Sequence, residues 1–307
     1  MSYKRQSTYT EMGKRTQVQV FGAGSLGTLV GALLSRADVE THLVGRDDVV
    51  SAFDDGVRVE GIEGFVAHPS LSTEPVDADV TLVTVKSYDT RAAADALASV
   101  VGTEDTVVSL QNGMGNEEVL DESLGATVLG GTATYGANLC LDEGSVEYTG
   151  IGEVVVGDYT GGASESAEGV AEVLGGLDAS VTDEMDVALW EKLAVNTAIN
   201  PVTALTRLTN GEAAEKAPGV MRAAARETAA VARENGVRIE NAPERALEVA
   251  GSTAKNESST LQDVRSGRRT EIDALNGYVV EKAHETDTKV PTNETLYSLV
   301  EGLTRTK

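Results

Sequence analysis

The sequence predicts an α/β fold in which a doubly wound parallel sheet is followed by an all-α C-terminal domain. Short apolar runs alternate with helical patterns in the first half of the chain, which is typical of a parallel sheet. From about Glu184 the pattern becomes helical. The length of 307 residues and a hydrophobic content of 41% allow each half its own core. We therefore predict a disordered tail at residues 1–16, a sheet domain at 17–182 and a helical domain at 183–307.

The first predicted strand, Gln17 to Gly22, runs directly into a glycine-rich turn and then a helical pattern. This order is typical of a Rossmann dinucleotide site. Gly22 permits the tight turn, Gly24 lets the backbone approach a pyrophosphate, and Gly27 lets the helix pack on the strand. The helix N-terminus offers N–H groups and a positive dipole end to the phosphates. The predicted cofactor-binding residues of this turn are Gly22, Ala23, Gly24, Ser25, Leu26 and Gly27.

Three further polar residues close predicted strands, at Thr41 to Arg46, Asp79 to Lys86 and Thr106 to Gly113. Ligands of such sheets bind beyond the carboxyl ends of the strands. Arg46 occupies the position that selects the cofactor, and its guanidinium suits the 2′-phosphate of NADP better than the ribose hydroxyls of NAD. Lys86 and Asn112 are predicted to contact the cofactor as well. Ordinary surface charges at Arg46 and Lys86, and plain turn chemistry at Asn112, remain alternatives.

A polar stripe interrupts the apolar helix predicted from Glu184 to Asn200. Lys192, Asn196 and Asn200 follow each other at spacings of four residues, so they share one face. Polar groups on a buried face need partners, and a substrate is one. The Lys192 ammonium would suit protonation of a carbonyl oxygen as hydride arrives. In the alternative, Lys192 reaches water and the asparagines cap neighbouring helices. Pro201 is predicted to end the helix.

Two more segments of the C-terminal half carry candidate polar residues. Asn256 and Ser259 belong to a polar cluster in a helical window, and Glu271 lies in the first turn of a helix predicted from about Thr270. Helix capping alone accounts well for a first-turn glutamate.

The charge and cysteine content bound the class of protein. With 49 acidic and 25 basic residues the net charge is −24, which argues against nucleic-acid and anionic-membrane partners. A single cysteine excludes an internal disulfide, and three scattered histidines show no metal-ligand spacing. We expect a cytoplasmic protein without a metal.

The acidic surface predicts a requirement for salt, because concentrated salt screens the self-repulsion of a highly charged chain. We expect the midpoint of unfolding to rise between low salt and molar KCl, as measured by thermal denaturation. A midpoint that does not rise would refute a halophilic character.

Taken together, the motifs resemble those of the ketopantoate reductase (2-dehydropantoate 2-reductase) family. The resemblance spans about Gln17 to Val300 and is carried by FGAGSLG, LVTVKSYDT, QNGMGN, LWEKLAVNTAINPVTAL, NESSTLQDVRSGRRTEIDALNG and VPTNETLY. It implies NADPH-dependent reduction of 2-dehydropantoate to (R)-pantoate, a step toward pantothenate and coenzyme A, in a cleft between the domains.

The resemblance also implies roles for individual residues. Lys192 and Glu271 match the catalytic positions of the family, and Arg46 and Lys86 match its phosphate-binding arginine and strand-end lysine. The positions that match substrate-binding residues are Asn112, Lys192, Asn196, Asn200, Asn256 and Ser259.

Two other functions remain open at this point. One is reduction of another branched 2-oxo acid on the same fold, and the other is NADPH sensing without turnover. Intact Lys192 and Glu271 argue against the second. Members of the family often form dimers, so a homodimer is one expectation.

Overall fold

The computed structural model describes residues 16–304, so the predicted disordered tail lies outside the described residues apart from Thr16. The strands are β1 (Gln17–Phe21), β2 (Glu40–Val44), β3 (Val57–Gly61), β4 (Phe65–Ala67), β5 (Ser70–Ser72), β6 (Val80–Val83), β7 (Thr106–Ser109), β8 (Thr127–Ala133), β9 (Gly136–Cys140), β10 (Ser145–Gly150), β11 (Val154–Gly157) and β12 (Ala179–Val181). The helices are α1 (Ser25–Arg36), α2 (Asp47–Ala52), α3 (Thr90–Leu97), α4 (Asn116–Ser123), α5 (Glu165–Val173), α6 (Met185–Thr206), α7 (Asn210–Lys216), α8 (Pro218–Glu234), α9 (Ala242–Ser252), α10 (Ser259–Arg265), α11 (Tyr278–Glu285) and α12 (Pro291–Thr304).

The main sheet has the strand order β12-β11-β8-β7-β6-β1-β2-β5. The six strands from β8 to β5 in this order all run parallel, which confirms the predicted parallel sheet. At the other edge, β11 pairs antiparallel with β8, and β12 pairs parallel with β11. β1 lies between β2 and β6, so the chain order reverses there. Ligands of open α/β sheets bind at such a point, and the glycine-rich turn follows β1 directly.

A second sheet, with the order β4-β3-β10-β9, packs against α1 and was not predicted. Its inward side chains alternate with exposed ones, as at Val57 and Val59 in β3 and at Val146 and Tyr148 in β10. The strands are short and two of them lie far from the other two in the sequence. The local pattern therefore gave little sign of their pairing.

The C-terminal half is helical, and α6 lies at its centre against α8, α9, α10 and α12. Its core includes Trp190, Leu193 and Met221, all buried. We keep the predicted domain boundary, between 182 and 183, as a proposal. Within residues 16–304, no helix combines the length and the apolar character needed to cross a membrane.

The prediction that Pro201 ends its helix is wrong, since α6 continues to Thr206 with Pro201 inside it. Proline has no N–H, so the carbonyl of Thr197, one turn earlier, lacks its helical donor. The amide of Asn276 takes that place, with Nδ2 3.1 Å from the Thr197 oxygen. Asn276 is fully buried in a π-helical segment, Asp273–Gly277, that precedes α11. A hydrogen-bond donor from a distant segment thus allows the helix to continue beyond Pro201.

Replacing Asn276 by alanine is therefore expected to lower the free energy of unfolding by about 1–3 kcal/mol, because the buried Thr197 carbonyl and the Asn293 side-chain oxygen, 2.9 Å from the Asn276 amide, each lose a donor. Urea denaturation measures the loss. In a Pro201→Ala background the loss should be smaller, since an alanine at position 201 restores the helical N–H. Asn235→Ala is the control, because the Asn235 amide donates to the Val231 carbonyl at an exposed helix end, 2.9 Å away. Equal losses in both backgrounds would contradict this account.

Candidate active site

An ion-pair cluster joins the end of β6 to the helical half of the chain. Lys86, shortly beyond β6, places its Nζ 2.8 Å from Asp263 Oδ2 and 2.9 Å from Glu271 Oε2. The other oxygen of Glu271 accepts the N–H of Ser87 at 3.1 Å. Asp263 also accepts from Arg268 Nε at 3.1 Å. Glu271 and Asp263 are almost fully buried. The carboxylate of Glu271 is thus held by the sheet half and does not cap a helix of its own segment.

The two carboxylates of this cluster stabilise the positive charge of Lys86. Burial alone would lower the pKa of Lys86, but the carboxylates of Glu271 and Asp263 outweigh burial and raise that pKa above its ordinary value. Lys86 therefore remains a cation. Its predicted contact with the cofactor stays a prediction, because in this structure its ammonium is bound to the two carboxylates.

Lys192 lies on α6 and is largely buried. Among residues 16–304 its ammonium forms neither a hydrogen bond nor an ion pair. Burial lowers its pKa, and the nearby carboxylates of Glu271 and Glu117 oppose that shift. A buried amine without a partner is a group that can bind and protonate an oxygen of a ligand.

The predicted polar stripe continues along α6 from Lys192. Asn196 is half-buried and Asn200 is 6% exposed, and within the described part of the chain neither side chain is hydrogen-bonded. Asn112 follows β7 and is half-buried, and its side-chain amide likewise has no partner among the described residues. Three amides and one ammonium thus keep free donors, as a site for a carboxylate and a carbonyl requires.

The loop after β7 packs on the segment that follows Glu271. The N–H of Met114 donates to the carbonyl of Ala274 at 3.1 Å. Gly113 has a φ of 84°, and a Cβ there would lie 2.5 Å from the same carbonyl oxygen. The close approach requires glycine and fixes the position of Asn112, its neighbour, relative to Glu271.

The glycine-rich turn fits a dinucleotide. Gly22 has a φ of 119°, and a Cβ there would lie 2.7 Å from the backbone nitrogen of Val85. A Cβ at Gly27 would collide with the Gly22 carbonyl, whereas one at Gly24 would meet no atom within 4 Å. The first bond of α1 runs from Thr28 N to Gly24 O, and no side chain caps the helix. The open space at Gly24 and the free N–H groups of Ser25, Leu26 and Gly27 are suited to phosphate oxygens.

Arg46 follows β2, and its side chain is 81% exposed. Its Nε lies 3.5 Å from Asp48 Oδ1, so an acidic neighbour competes for its charge. Exposed pairs of this kind are weak, and the guanidinium remains free to turn toward a ligand.

Asn256 and Ser259 lie around the start of α10. Asn256 is exposed, and its backbone carbonyl accepts the N–H of Asn210 at 2.9 Å. Ser259 is half-buried and opens the helix, while its neighbour Ser258 caps it and lies 2.6 Å from the Thr203 hydroxyl. No hydrogen bond joins either residue to Lys192 or Glu271 within residues 16–304. Their roles toward a substrate remain predictions.

Two buried carboxyl groups of the site were not predicted, Asp263 and Glu117. Asp263 stands in the polar window that includes Asn256, but its partner Lys86 is 177 positions away, so no local spacing could indicate the pair. Glu117 lies in an acidic first helical turn, where capping is the ordinary explanation. A buried position for it could not be inferred from the run Asn116-Glu117-Glu118.

Two family profiles match the chain. The profile described as ketopantoate reductase PanE/ApbA matches residues 18–161, and the profile described as ketopantoate reductase PanE/ApbA C terminal matches residues 184–304. The 2-dehydropantoate 2-reductase of Archaeoglobus fulgidus is 43% identical over 291 residues, which are 94% of this chain and 97% of that one.

Solved structures also match the chain over most of its length. A crystal structure of a PanE/ApbA family ketopantoate reductase from Ralstonia eutropha matches with a TM-score of 0.86 and 31% identity, covering 94% of this chain and 98% of that one. A ternary structure of D-mandelate dehydrogenase with NADH and anilino(oxo)acetate matches with a TM-score of 0.87 over 94% of this chain and 98% of that one. Its identity is 20%, so it shows the shared fold alone.

Proposed function

The chain belongs to the ketopantoate reductase family, and from that premise we propose that it reduces 2-dehydropantoate to (R)-pantoate with NADPH, in the cytoplasm and on the way to pantothenate and coenzyme A. The observation that carries the proposal is the buried ammonium of Lys192, which has no partner among the described residues and lies near the carboxylate of Glu271. The chain is an oxidoreductase that uses a nicotinamide cofactor.

Lys192 acts on the ketone oxygen of the substrate. Negative charge develops on that oxygen as hydride reaches C2, and a buried ammonium stabilises it and then gives it a proton. When bound, the reduced nicotinamide supplies the hydride from its C4 position. Burial strengthens this interaction, because little water competes for the oxygen.

Glu271 opposes the loss of the Lys192 proton. Burial lowers the pKa of Lys192 and the negative charge of Glu271 opposes that shift, while Lys86 and the N–H of Ser87 hold the carboxylate in place. A fixed charge needs no reorganisation during the reaction, which is the main source of electrostatic catalysis. A carboxylate oxygen accepts more than one hydrogen bond, so Glu271 can also accept one from the hydroxyl group of the substrate.

The free amides of Asn112, Asn196 and Asn200 would bind the carboxylate and the hydroxyl group of the substrate. A site built to hydrogen-bond a hydroxyl strongly rejects an analogue that lacks it, because its buried polar groups then remain unpaired. 2-Oxoisovalerate has the ketone and the carboxylate of 2-dehydropantoate but not its hydroxyl. It is therefore the sharpest competitor to test.

The preference for NADPH is the part of the proposal that rests on Arg46. Arg46→Ala is expected to raise the KM for NADPH about 10-fold or more, since a charged hydrogen bond contributes roughly 1.5–3 kcal/mol. The KM for NADH should change little, because NADH lacks the 2′-phosphate. Steady-state kinetics with both cofactors measure the difference, and Arg91→Ala is the control, since Arg91 is an exposed arginine bound to Ser123. Equal losses with both cofactors would contradict the assignment.

The proposed activity is tested by following NADPH oxidation in molar KCl with ketopantoate, 2-oxoisovalerate, 2-oxopantolactone and no substrate. Rapid turnover with ketopantoate alone is the expected result. Turnover confined to another oxo compound would favour a reductase of a different 2-oxo acid. Saturable NADPH binding without turnover would favour a sensing protein.

A further inference from the structure

Glu117 is a buried carboxyl group that the reaction above does not use. It lies in the first turn of α4, is 2% exposed, and follows the loop that carries Asn112. Its neighbour Glu118, in contrast, is exposed. A carboxyl group loses hydration when it is buried, so a position of this kind needs a compensating charge or hydrogen bond.

The topology of the sheet brings Glu117 and Lys192 to the same place. β7 leads into α4 and pairs with β8, so that Ser109 lies opposite Gly130. A Cβ at Gly130 would lie 3.2 Å from Leu189 Cδ1, so α6 packs directly on β8 there. Lys192 follows Leu189 by one helical turn and shares its face. The start of α4 and the ammonium of Lys192 therefore meet across the ends of these two strands.

The polar groups at this meeting point lack other partners. The buried hydroxyl of Ser109 faces Glu117, and the ammonium of Lys192 has no bonded partner among the described residues. Both oxygens of Glu271 are already engaged, by Lys86 and by the N–H of Ser87. The positive charge of Lys86 offsets part of the field of Glu271 at Lys192, so a second carboxylate would add to the stabilisation of the Lys192 ammonium.

The electrostatics agree with this geometry. Burial raises the pKa of Glu117 to about 7. A backbone N–H of its own helix and the Ser109 hydroxyl oppose the rise, and the charge of Lys192 opposes it further, while the charge of Glu118 adds to it. The other charged or titratable groups near Glu117 are Glu118 on its own helix and Tyr278 on α11, whose pKa is raised mainly by burial and then by these two glutamates. On α3, which packs against α4, Arg91 engages Ser123 and Glu122 at the far end of α4.

On these grounds, and resting on the proposed function, we propose that Glu117 is a positioning residue whose carboxylate is the second counter-charge of Lys192. It keeps the Lys192 side chain protonated and directed at the carbonyl site while Glu271 is bound to Lys86. The substrate then meets an ammonium rather than a neutral amine in a buried pocket.

The test compares Glu117→Gln with Glu118→Gln, an exposed control on the same helix. In Glu117→Gln the pKa of Lys192 is expected to fall below its wild-type value, because an opposite charge nearby raises the pKa of an amine. Nitrogen-15 NMR of the Lys192 Nζ measures this pKa without turnover. The Nζ resonance is assigned by its absence from the spectrum of Lys192→Arg. The alkaline limb of kcat/KM for ketopantoate should shift to lower pH by the same amount, while the KM for NADPH stays unchanged. Glu118→Gln should alter neither quantity.

An unchanged Lys192 pKa in Glu117→Gln would overturn the proposal. If that variant does not fold, the wild-type protein decides: the Lys192 Nζ resonance should show a second step where Glu117 titrates, and a single step would overturn the proposal. The NMR measurement needs no substrate. An absence of ketopantoate turnover would therefore refute the proposed function without deciding whether Glu117 raises the pKa of Lys192.

Discussion

Replacing Lys192 by alanine is expected to lower kcat about 10³-fold, within the range that a positioned general acid contributes. The affinity for NADPH should change little, because the ammonium acts on charge that develops only in the transition state. Single-turnover kinetics and NADPH titration separate the two quantities. Lys216→Ala serves as the control, since Lys216 is an exposed helical lysine paired with Glu212.

Lys192→Arg extends this test. Arginine keeps the positive charge but does not give up its proton, because its pKa is above 12. Substrate binding should therefore persist while kcat stays low. A kcat in Lys192→Ala within a few-fold of the wild type would show that another group protonates the ketone oxygen.

Replacing Glu271 by glutamine is expected to lower kcat/KM by about 100-fold, the lower end of the cost of removing one fixed electrostatic group. The change keeps the shape of the side chain but removes the charge that stabilises both Lys86 and Lys192. The pKa of Lys192 should fall, so the loss of activity should grow as pH rises. The pH dependence of kcat/KM measures this effect.

Asp263→Asn is the comparison for Glu271→Gln. Asp263 contacts Lys86 and Arg268, whereas the carboxylates that act on the charge of Lys192 are those of Glu271 and Glu117. Asp263→Asn should therefore lower kcat/KM less than Glu271→Gln does, and it should leave the alkaline limb of the pH profile unchanged. Identical pH profiles for the two variants would show that Glu271 acts only through Lys86.

Local sequence patterns predicted the parts of the fold and site that depend on neighbouring residues. The glycine-rich turn, the parallel strands and the stripe of Lys192, Asn196 and Asn200 each depend on spacings within one element. The structure agrees on the turn, the strands and the shared helix face.

What could not be predicted depends on contacts between distant segments. Asn276 replaces a helical donor for Thr197 from 79 positions away, and Lys86 meets Glu271 from 185 positions away. Local propensity favoured the end of a helix at Pro201 and a cap at Glu271, and tertiary hydrogen bonds overrode both. The burial of Glu117 depends on the packing of α4 against α3 and β8, which no local periodicity indicates.

Transfer of deuterium from NADPH to the substrate tests directly whether the chain reduces 2-dehydropantoate at C2. Wild-type protein in molar KCl would be given ketopantoate and NADPH with deuterium at both C4 positions, and the product would be identified by mass spectrometry. The account predicts (R)-pantoate with one deuterium at C2 from the wild type, at a rate about 10³-fold higher than from Lys192→Ala. Oxidation of NADPH without deuterated pantoate would contradict it.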